Sequence, residues 1–367
     1  MKPDRLSSAQ LGRATLARQM LLEREHVATP EAVERLCGMQ AQEPKPPFIG
    51  LWSRLAGFRR DDLHESLHRR DVVRGTLMRA TLHLTSARDY AALRAPLQPV
   101  MTQAMGALGQ RAEGMEVAEV LPVARALLLE EPRSFNELRG LLVERFPGVN
   151  PRALGFAVRM HLPLVMVPSQ DRWAFPSVAG FTLAETWLGE PLRDDAGPQG
   201  LALRYLAAFG PATAADAQTW SGLRGMRAVL EDLRPRLRVF RDERGRALFD
   251  LPEAPRPAED VPAPPRFLPE FDNLVLSHAD RTRVLADEHR AAVVTRNLRV
   301  RATFLSEGRV GGTWDVERTG TRATLHVRPF AALPGSAARA LAAEGEALVR
   351  FVEEDAAAFE VTLDPPG

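Results

Sequence analysis

Gln40-Ala41-Gln42 sets two side-chain amides one residue apart, between an apolar run and Pro44. A glutamine carbonyl oxygen accepts a hydrogen bond from water and presents partial negative charge, but it cannot take the proton as a carboxylate base would. Such a pair suits a reaction that needs a positioned water rather than a strong base. The spacing sets a condition. On a helix, residues i and i+2 point about 200° apart, so the amides share a face only where the backbone is extended or unwinding. Pro44 supplies a cause, because the residue before proline avoids the α region. The other reading of the same residues is two solvated or backbone-capping glutamines at a helix end, glutamine being a commonly exposed residue.

Two further groups invite chemistry. His64-Glu65-Ser66-Leu67-His68 matches the H-E-x-x-H zinc pattern, which puts two imidazoles one helical turn apart. Arg59, Arg60, Asp61, Asp62, Arg69, Arg70 and Asp71 flank it, so the helix reads as solvated. A zinc site needs a further ligand that is not evident here, and no metal is expected. Cys37, the single cysteine, excludes an intrachain disulfide and a cysteine-based metal site. It lies in an apolar run and reads as a buried core thiol.

Composition frames these residues. The 367-residue chain is 45% hydrophobic and 26% charged, enough for two to four compact units with real cores. No apolar run approaches the roughly 18 residues of a membrane span, and Met1-Lys2-Pro3-Asp4-Arg5 lacks the apolar stretch of a signal peptide. A cytoplasmic, nucleoid-associated protein is expected. The net charge is +1, yet Glu344 to Asp364 holds seven acids and one base, leaving the remainder at +7. That balance is compatible with a polyanionic partner without requiring one.

The elements read helical first and β-rich later, an α+β chain. Ser8 to Glu25, a helix starting at Thr29-Pro30, Phe48 to Leu55 and Asp61 to Arg69 read as helices. Val72 to Thr85 is β-branched and folds back as a strand pair around a turn. Helices closing on a hairpin make a winged helix. The pattern repeats with helices at Leu121 to Leu129, Ser134 to Phe146 and Pro151 to Val158, followed by strands at Leu164 to Val167 and Arg172 to Phe175. A third round runs from Leu201, through a helix-turn-helix at Gly210 to Leu223, to strands at Leu237 to Phe240 and Ala247 to Asp250. The expected organisation is a winged helix over 1–115 carrying the amide pair, a second over 116–190 and a third over 191–252. A Pro-rich linker follows over 253–266, then a small β-barrel with a terminal helix and acidic tail over 267–367.

In that order, the motifs resemble those of the AlkZ-like winged-helix DNA glycosylases. The matching segments are Arg18-Gln19, Met39-Gln40-Ala41-Gln42, Gly50-Leu51-Trp52-Ser53-Arg54-Leu55 and Met78-Arg79-Ala80-Thr81-Leu82-His83-Leu84. Leu268-Pro269-Glu270-Phe271-Asp272-Asn273, Asp280-Arg281-Thr282-Arg283-Val284 and Arg309-Val310-Gly311-Gly312-Thr313-Trp314 resemble the family's C-terminal blocks. The likeness spans roughly Leu6 to Phe351. It implies a monomeric enzyme on double-stranded DNA that hydrolyses the N-glycosidic bond of an N7-alkylated purine with no cofactor and no metal. Gln-Ala-Gln is similar to the self-resistance form, associated with bulky N7-guanine monoadducts or interstrand crosslinks.

Under that resemblance Gln42 orients the water, and Gln40 assists it or holds the substrate backbone. Arg79, His83 and Thr85 lie on the first wing beside DNA, although a satisfied histidine and a surface arginine fit the first two as well. Arg281 and Arg283 share a face if extended; they either bind phosphate or pair with Asp280 or Glu270. Two rival functions are a winged-helix regulator without catalysis and the zinc peptidase already discounted.

Overall fold

The first helix starts where a capping box directs it. Ser7 Oγ accepts from the Gln10 N–H at 3.1 Å, and Gln10 Oε1 accepts from the Ser7 N–H at 2.9 Å. In this computed structural model, which describes residues 4–193 and 196–366, the helix covers Ser8–Arg18. It stops short of Glu25 because the chain reverses at Met20, whose φ is +54°. Arg18 is thereby drawn inside, where it grips Asp250 through two hydrogen bonds of 2.7 and 2.9 Å. Residues 1–3 of the polar start lie outside the described residues.

The helix Thr29–Arg35 ends at two consecutive left-handed residues, Cys37 (φ +53°) and Gly38 (φ +81°). A Cβ on Gly38 would sit 3.1 Å from the Leu84 carbonyl oxygen, so this tight reversal requires glycine. The chain leaves it extended as β1 (Met39–Gln40). The helix thus breaks ahead of the amide pair and not at Pro44. Helices Lys45–Trp52 and Arg60–His68 follow, then β2 (Val72–Thr76), a short turn and β3 (Leu82–Ser86).

β1 pairs antiparallel with β3, setting Gln40 opposite His83, and β3 pairs with β2. The sheet then continues into the second round: β2 meets β4 (Leu164–Met166) at Gly75 and Val165, and β4 pairs with β5 (Phe181–Leu183). The result is one five-stranded sheet in the order β1-β3-β2-β4-β5. Gly75 permits the junction, since a Cβ there would meet the Tyr90 ring at 2.5 Å and the Leu164 carbonyl oxygen at 2.8 Å. The strand expected at Arg172 to Phe175 does not form. Ser169 to Ala174 closes a loop instead, the Ser169 N–H donating to the Ala174 carbonyl at 2.6 Å.

The third hairpin, β6 (Arg238–Arg241) with β7 (Ala247–Asp250), forms its own two-stranded sheet. Beyond the proline-rich stretch, β8 (Arg266–Leu268), β9 (Thr303–Ser306), β10 (Arg309–Thr319), β11 (Arg322–Pro329) and β12 (Ala358–Leu363) make a second five-stranded sheet. Its order, β12-β11-β10-β9-β8, leaves β8 and β12 as edges, so the expected barrel is not closed among the described residues. The helix Gly335–Val352 packs its apolar stripe (Leu341, Leu348, Val349, Val352) against the sheet's core cluster. The acidic tail is no tail: Ala358–Leu363 is β12, paired in parallel with β11. No described helix is long and apolar enough to cross a membrane.

One buried ion pair ties the amino-terminal half to the carboxy-terminal sheet. Arg54 donates to both Asp272 oxygens at 2.9 Å, and to the carbonyls of Gln19 and Gly50 at 3.0 Å; both side chains are at most 2% exposed. Removing one partner strands a buried charge. Asp272→Ala is therefore expected to destabilise the fold by about 3–5 kcal/mol, read as a lowered urea midpoint. Replacing both partners, Arg54→Met with Asp272→Leu, should recover most of that loss. A single-variant loss under about 1 kcal/mol would mean the pair is dispensable.

Candidate active site

Gln40 ends β1, while Gln42 lies two residues on in the bend that follows, so the amides border two neighbouring cavities, Gln40 the smaller and Gln42 the more open. The Ala41 N–H donates to the Leu82 carbonyl at 2.8 Å, continuing the pairing with β3. Met39 and Ala41 are buried, Gln40 is half-buried and Gln42 is exposed. Arg74 fixes the backbone from below: its guanidinium donates to the Ala41 carbonyl at 2.9 Å and the Gln42 carbonyl at 3.1 Å.

Arg79 organises the side chains, though not from a strand. It sits in the turn Met78–Ala80 between β2 and β3, and both Arg79 (φ +56°) and Ala80 (φ +57°) are left-handed, an uncommon state for residues other than glycine. The turn is wedged against the end of the helix Ala214–Ser221, so Arg79 donates to the Trp220 carbonyl. A Cβ on the neighbouring Gly222 would come 3.3 Å from the Arg79 Cα. From this anchored turn the Arg79 Nη2 donates to Gln40 Oε1 at 2.7 Å and faces His83 Nε2 at 3.4 Å.

The protonation states follow. His83 Nδ1 lies 3.0 Å from the Thr81 carbonyl and must carry the proton, leaving Nε2 as the acceptor toward Arg79. Burial, then the Arg79 charge, hold the imidazole down to about 3, so His83 is neutral. Burial and the charge of Arg281 bring the Arg79 guanidinium to about 10, still protonated at neutral pH. Gln40's oxygen is taken by Arg79, which turns its NH2 group into the available donor. Gln42 Oε1 has only a long contact, 3.4 Å from the Leu82 N–H, and keeps acceptor capacity. It lines a cleft of about 380 Å³ shared with Ser134, Phe135 and Asn136.

The remaining residues divide. Arg281 lies close enough to Arg79 to depress its pKa, and its Nε and Nη1 are buried without hydrogen-bond acceptors. It lines a cleft of about 310 Å³ with Arg244, Arg246 and Arg290. Arg283 does not share that position. It points inward, donating to the Pro211 carbonyl at 3.0 Å and facing Thr15 Oγ1 at 3.3 Å and Asp216 at 3.9 Å. Asp280 pairs with Arg246 and Arg244 rather than with Arg281 or Arg283. Thr85 is 1% exposed within β3, with no free surface for a nucleic acid. It stands two residues beyond His83, opposite Val73 of β2, on a packed face.

Cys37 is buried, and burial pushes its thiol up to about 12, which suits a core residue and not a nucleophile. His64 and His68 do not converge: His64 Nε2 lies 3.3 Å from the Arg172 carbonyl, and His68 Nε2 lies 3.2 Å from Gln170. Glu43 escaped the sequence reading. Exposed and next to Gln42, it borders both the 380 Å³ cleft and a larger one of about 790 Å³. The acid in Gln42-Glu43-Pro44 was its available signal. The Trp220 carbonyl, some 140 residues from Arg79, had none.

Comparison with known proteins identifies the family. The family model described as "DNA glycosylase AlkZ-like" matches residues 33–351. An interstrand DNA cross-link repair glycosylase of Streptomyces sahachiroi is 26% identical over 325 residues, covering 82% of this chain and 85% of that protein. The solved structure of Streptomyces sahachiroi DNA glycosylase AlkZ superposes with a TM-score of 0.79 over 99% of this chain and 100% of that one, at 24% identity, a likeness of fold. The matched region takes in β1, the Arg79 turn and most of the carboxy-terminal sheet, and on that span the protein belongs to the AlkZ-like DNA glycosylase family.

Proposed function

We propose that this glycosylase hydrolyses the N-glycosidic bond of N7-alkylated, cationic purines in duplex DNA. The observation that carries the reading is the pairing of a committed Gln40, held by Arg79, with an uncommitted Gln42 at the mouth of a cleft. Neither amide can act as a base, so the substrate must supply the driving force. Alkylation at N7 does so by placing a positive charge on the purine. The C1′–N9 bond breaks with its electron pair going to N9, the purine leaves neutral, and water adds at C1′ of an oxocarbenium-like sugar. The water's proton passes to solvent and an abasic site remains. Gln42 Oε1 accepts from the water and turns its lone pair toward C1′. Gln40 donates its amide N–H to that water or to the sugar–phosphate backbone.

The curated relative's name concerns interstrand cross-links. By extension we infer a bulky monoadduct or cross-link as the substrate and self-resistance or repair as the role. The three helix-plus-hairpin units over 1–115, 116–190 and 191–252 are read as tandem winged helices that clasp DNA as a monomer in the nucleoid. The β6–β7 hairpin after the helices Ala214–Ser221 and Met226–Asp232 supports this for the third unit. Arg281 is assigned to a DNA phosphate, which the half-buried side chain would meet from the cleft it lines with Arg244, Arg246 and Arg290.

The test is a duplex carrying N7-methylguanine, treated with alkali after incubation. Wild-type protein should yield a cut strand, and Gln42→Ala should lose about 100-fold or more in single-turnover rate. A strand left uncut by the wild type removes N7-methylguanine, the smallest member of the class, from the substrates. Because His83 stays neutral down to about 3 and Arg79 stays charged up to about 10, the single-turnover rate should be level across neutral pH. A step centred near about 6.5, the ordinary histidine value, would show that His83 titrates during the reaction. For Arg281→Ala, the slope of log K against log salt should fall in magnitude by about 1 on undamaged duplex. An unchanged slope would remove Arg281 from the phosphate contacts.

A further inference from the structure

A concavity of about 790 Å³ is walled by the loop that carries the amide pair. Glu43, Pro44, Lys45 and Pro46 form that wall. Glu43, Pro44 and Pro176 are shared with the cleft at Gln42, while Pro46, Pro269 and Glu270 are shared with the small cavity at Gln40. The concavity therefore abuts both amides. Its volume falls in the range of about 300–1,000 Å³ typical of sites that hold a drug-sized ligand.

Part of the lining is apolar and stiff, under a charged rim. Pro44, Pro46, Trp173, Pro269, Trp314 and Val316 come from three separate parts of the fold. Trp314 is locked by its indole N–H, which donates to the Leu268 and Thr303 carbonyls at 3.0 and 2.9 Å. Most of the charges around the rim are spoken for: Glu270 pairs with Arg299, Asp315 with Arg328, and Asp171 accepts from Ser169 Oγ. Lys45 differs. It is one of only two lysines in the chain, and its ammonium sits 5.7 Å over the Trp173 ring with no hydrogen-bond or ion-pair partner among the described residues. Burial lowers its pKa from the ordinary lysine value.

We propose that this cleft receives the non-base part of the adduct, an apolar ring system bearing an oxygen acceptor, and that Lys45 donates a hydrogen bond to that oxygen. This rests on the glycosylase reading and names its substrate class. A purine at the amides would project its N7 substituent along the loop into the cleft. The proline and tryptophan walls bury rings, and the unpartnered ammonium selects a carbonyl or phenolic oxygen over a bare hydrocarbon. Lys45 is a specificity residue here and takes no part in breaking the C1′–N9 bond.

Three duplexes that differ only at N7 of one guanine test the idea: methyl, benzyl and 4-acetylbenzyl. With the full-length wild-type protein, kcat/KM should rise in that order. Lys45→Met keeps the stem and removes the donor; it should cut the acetylbenzyl-to-benzyl ratio by about tenfold, the value of a charge-assisted hydrogen bond. Val316→Trp fills the cleft from β10 and should cut the benzyl-to-methyl ratio by a similar factor. Ratios compare substrates within one variant, so a general loss of stability cancels. Equal rates on all three duplexes, release of N7-methylguanine alone, or ratios unmoved in both variants overturn the cleft assignment and leave the glycosylase reading standing. No release from any duplex overturns both.

Discussion

The Arg54–Asp272 pair decides where everything else stands. Arg54 follows the helix Lys45–Trp52, whose leading end is the loop carrying Gln42, and Asp272 belongs to the segment after β8. Asp272 also accepts from the Leu274 N–H at 3.0 Å, and Asn273 donates to the Gly38 carbonyl at 2.5 Å. A single short stretch, Asp272-Asn273, thus holds both flanks of β1: the glycine turn before it and the helix after it. Two buried charges are expensive to desolvate and are retained only with good geometry and satisfied hydrogen bonds. Here the bidentate fork and two carbonyl acceptors meet that demand. The geometry it enforces is a strand that ends at Gln40, beside a cavity shared with Pro269–Asn273, and a bend at Gln42 that opens on a separate cleft.

Within that frame the electrostatics look at first unfavourable. The proposed reaction develops positive charge on the sugar, yet Arg79 is a cation beside Gln40. Its charge is already committed, to the Trp220 carbonyl, Gln40 Oε1 and His83 Nε2. An N–H···O bond from a cation polarises the accepting amide and strengthens its own N–H as a donor. Arg79 therefore makes Gln40 a better donor, while Gln42, bound only at 3.4 Å, stays the better acceptor. Two identical side chains acquire opposite roles from their neighbours. The exposed carboxylate of Glu43, next in the chain, acts instead on the Arg74 guanidinium that holds the Ala41 and Gln42 carbonyls.

What could be read in the sequence was local. The fold-back of Val72 to Thr85, the β6–β7 hairpin with its Asp242–Gly245 turn and the proline-rich stretch all follow from residues within a few positions of each other. What could not be read depends on partners far along the chain. β4 chose Phe181–Leu183 over Arg172–Phe175 and also joined β2, because Gly75 leaves room for the junction and Ala174 closes a loop. Arg281 and Arg283 differ by two positions, yet one borders a cleft and the other is buried against Pro211 and Asp216. Spacing predicted their shared face only for an extended segment, and Val284 N–H and Leu285 N–H both return to the Arg281 carbonyl in a turn. Arg79 and His83 do meet, but by the turn's left-handed backbone rather than by strand alternation.

A pair of amides at the reacting bond has a consequence for selectivity. On the proposed reading, an ordinary purine bound against the two amides would not react, because its leaving group carries no positive charge and neither amide is an acid. Discrimination against normal DNA then resides in the chemical step. Binding need not reject undamaged nucleotides steeply, and the cleft beside the loop can be wide. Width in turn admits large substituents, which a tight base pocket would exclude. A carboxylate at position 42 would add a stronger acceptor, widen the range of reactive purines and shift the work of discrimination onto binding. On that reading, the amide at position 42 and the breadth of the 790 Å³ cleft belong together, with weak catalysis close to the bond and tolerant recognition beyond it.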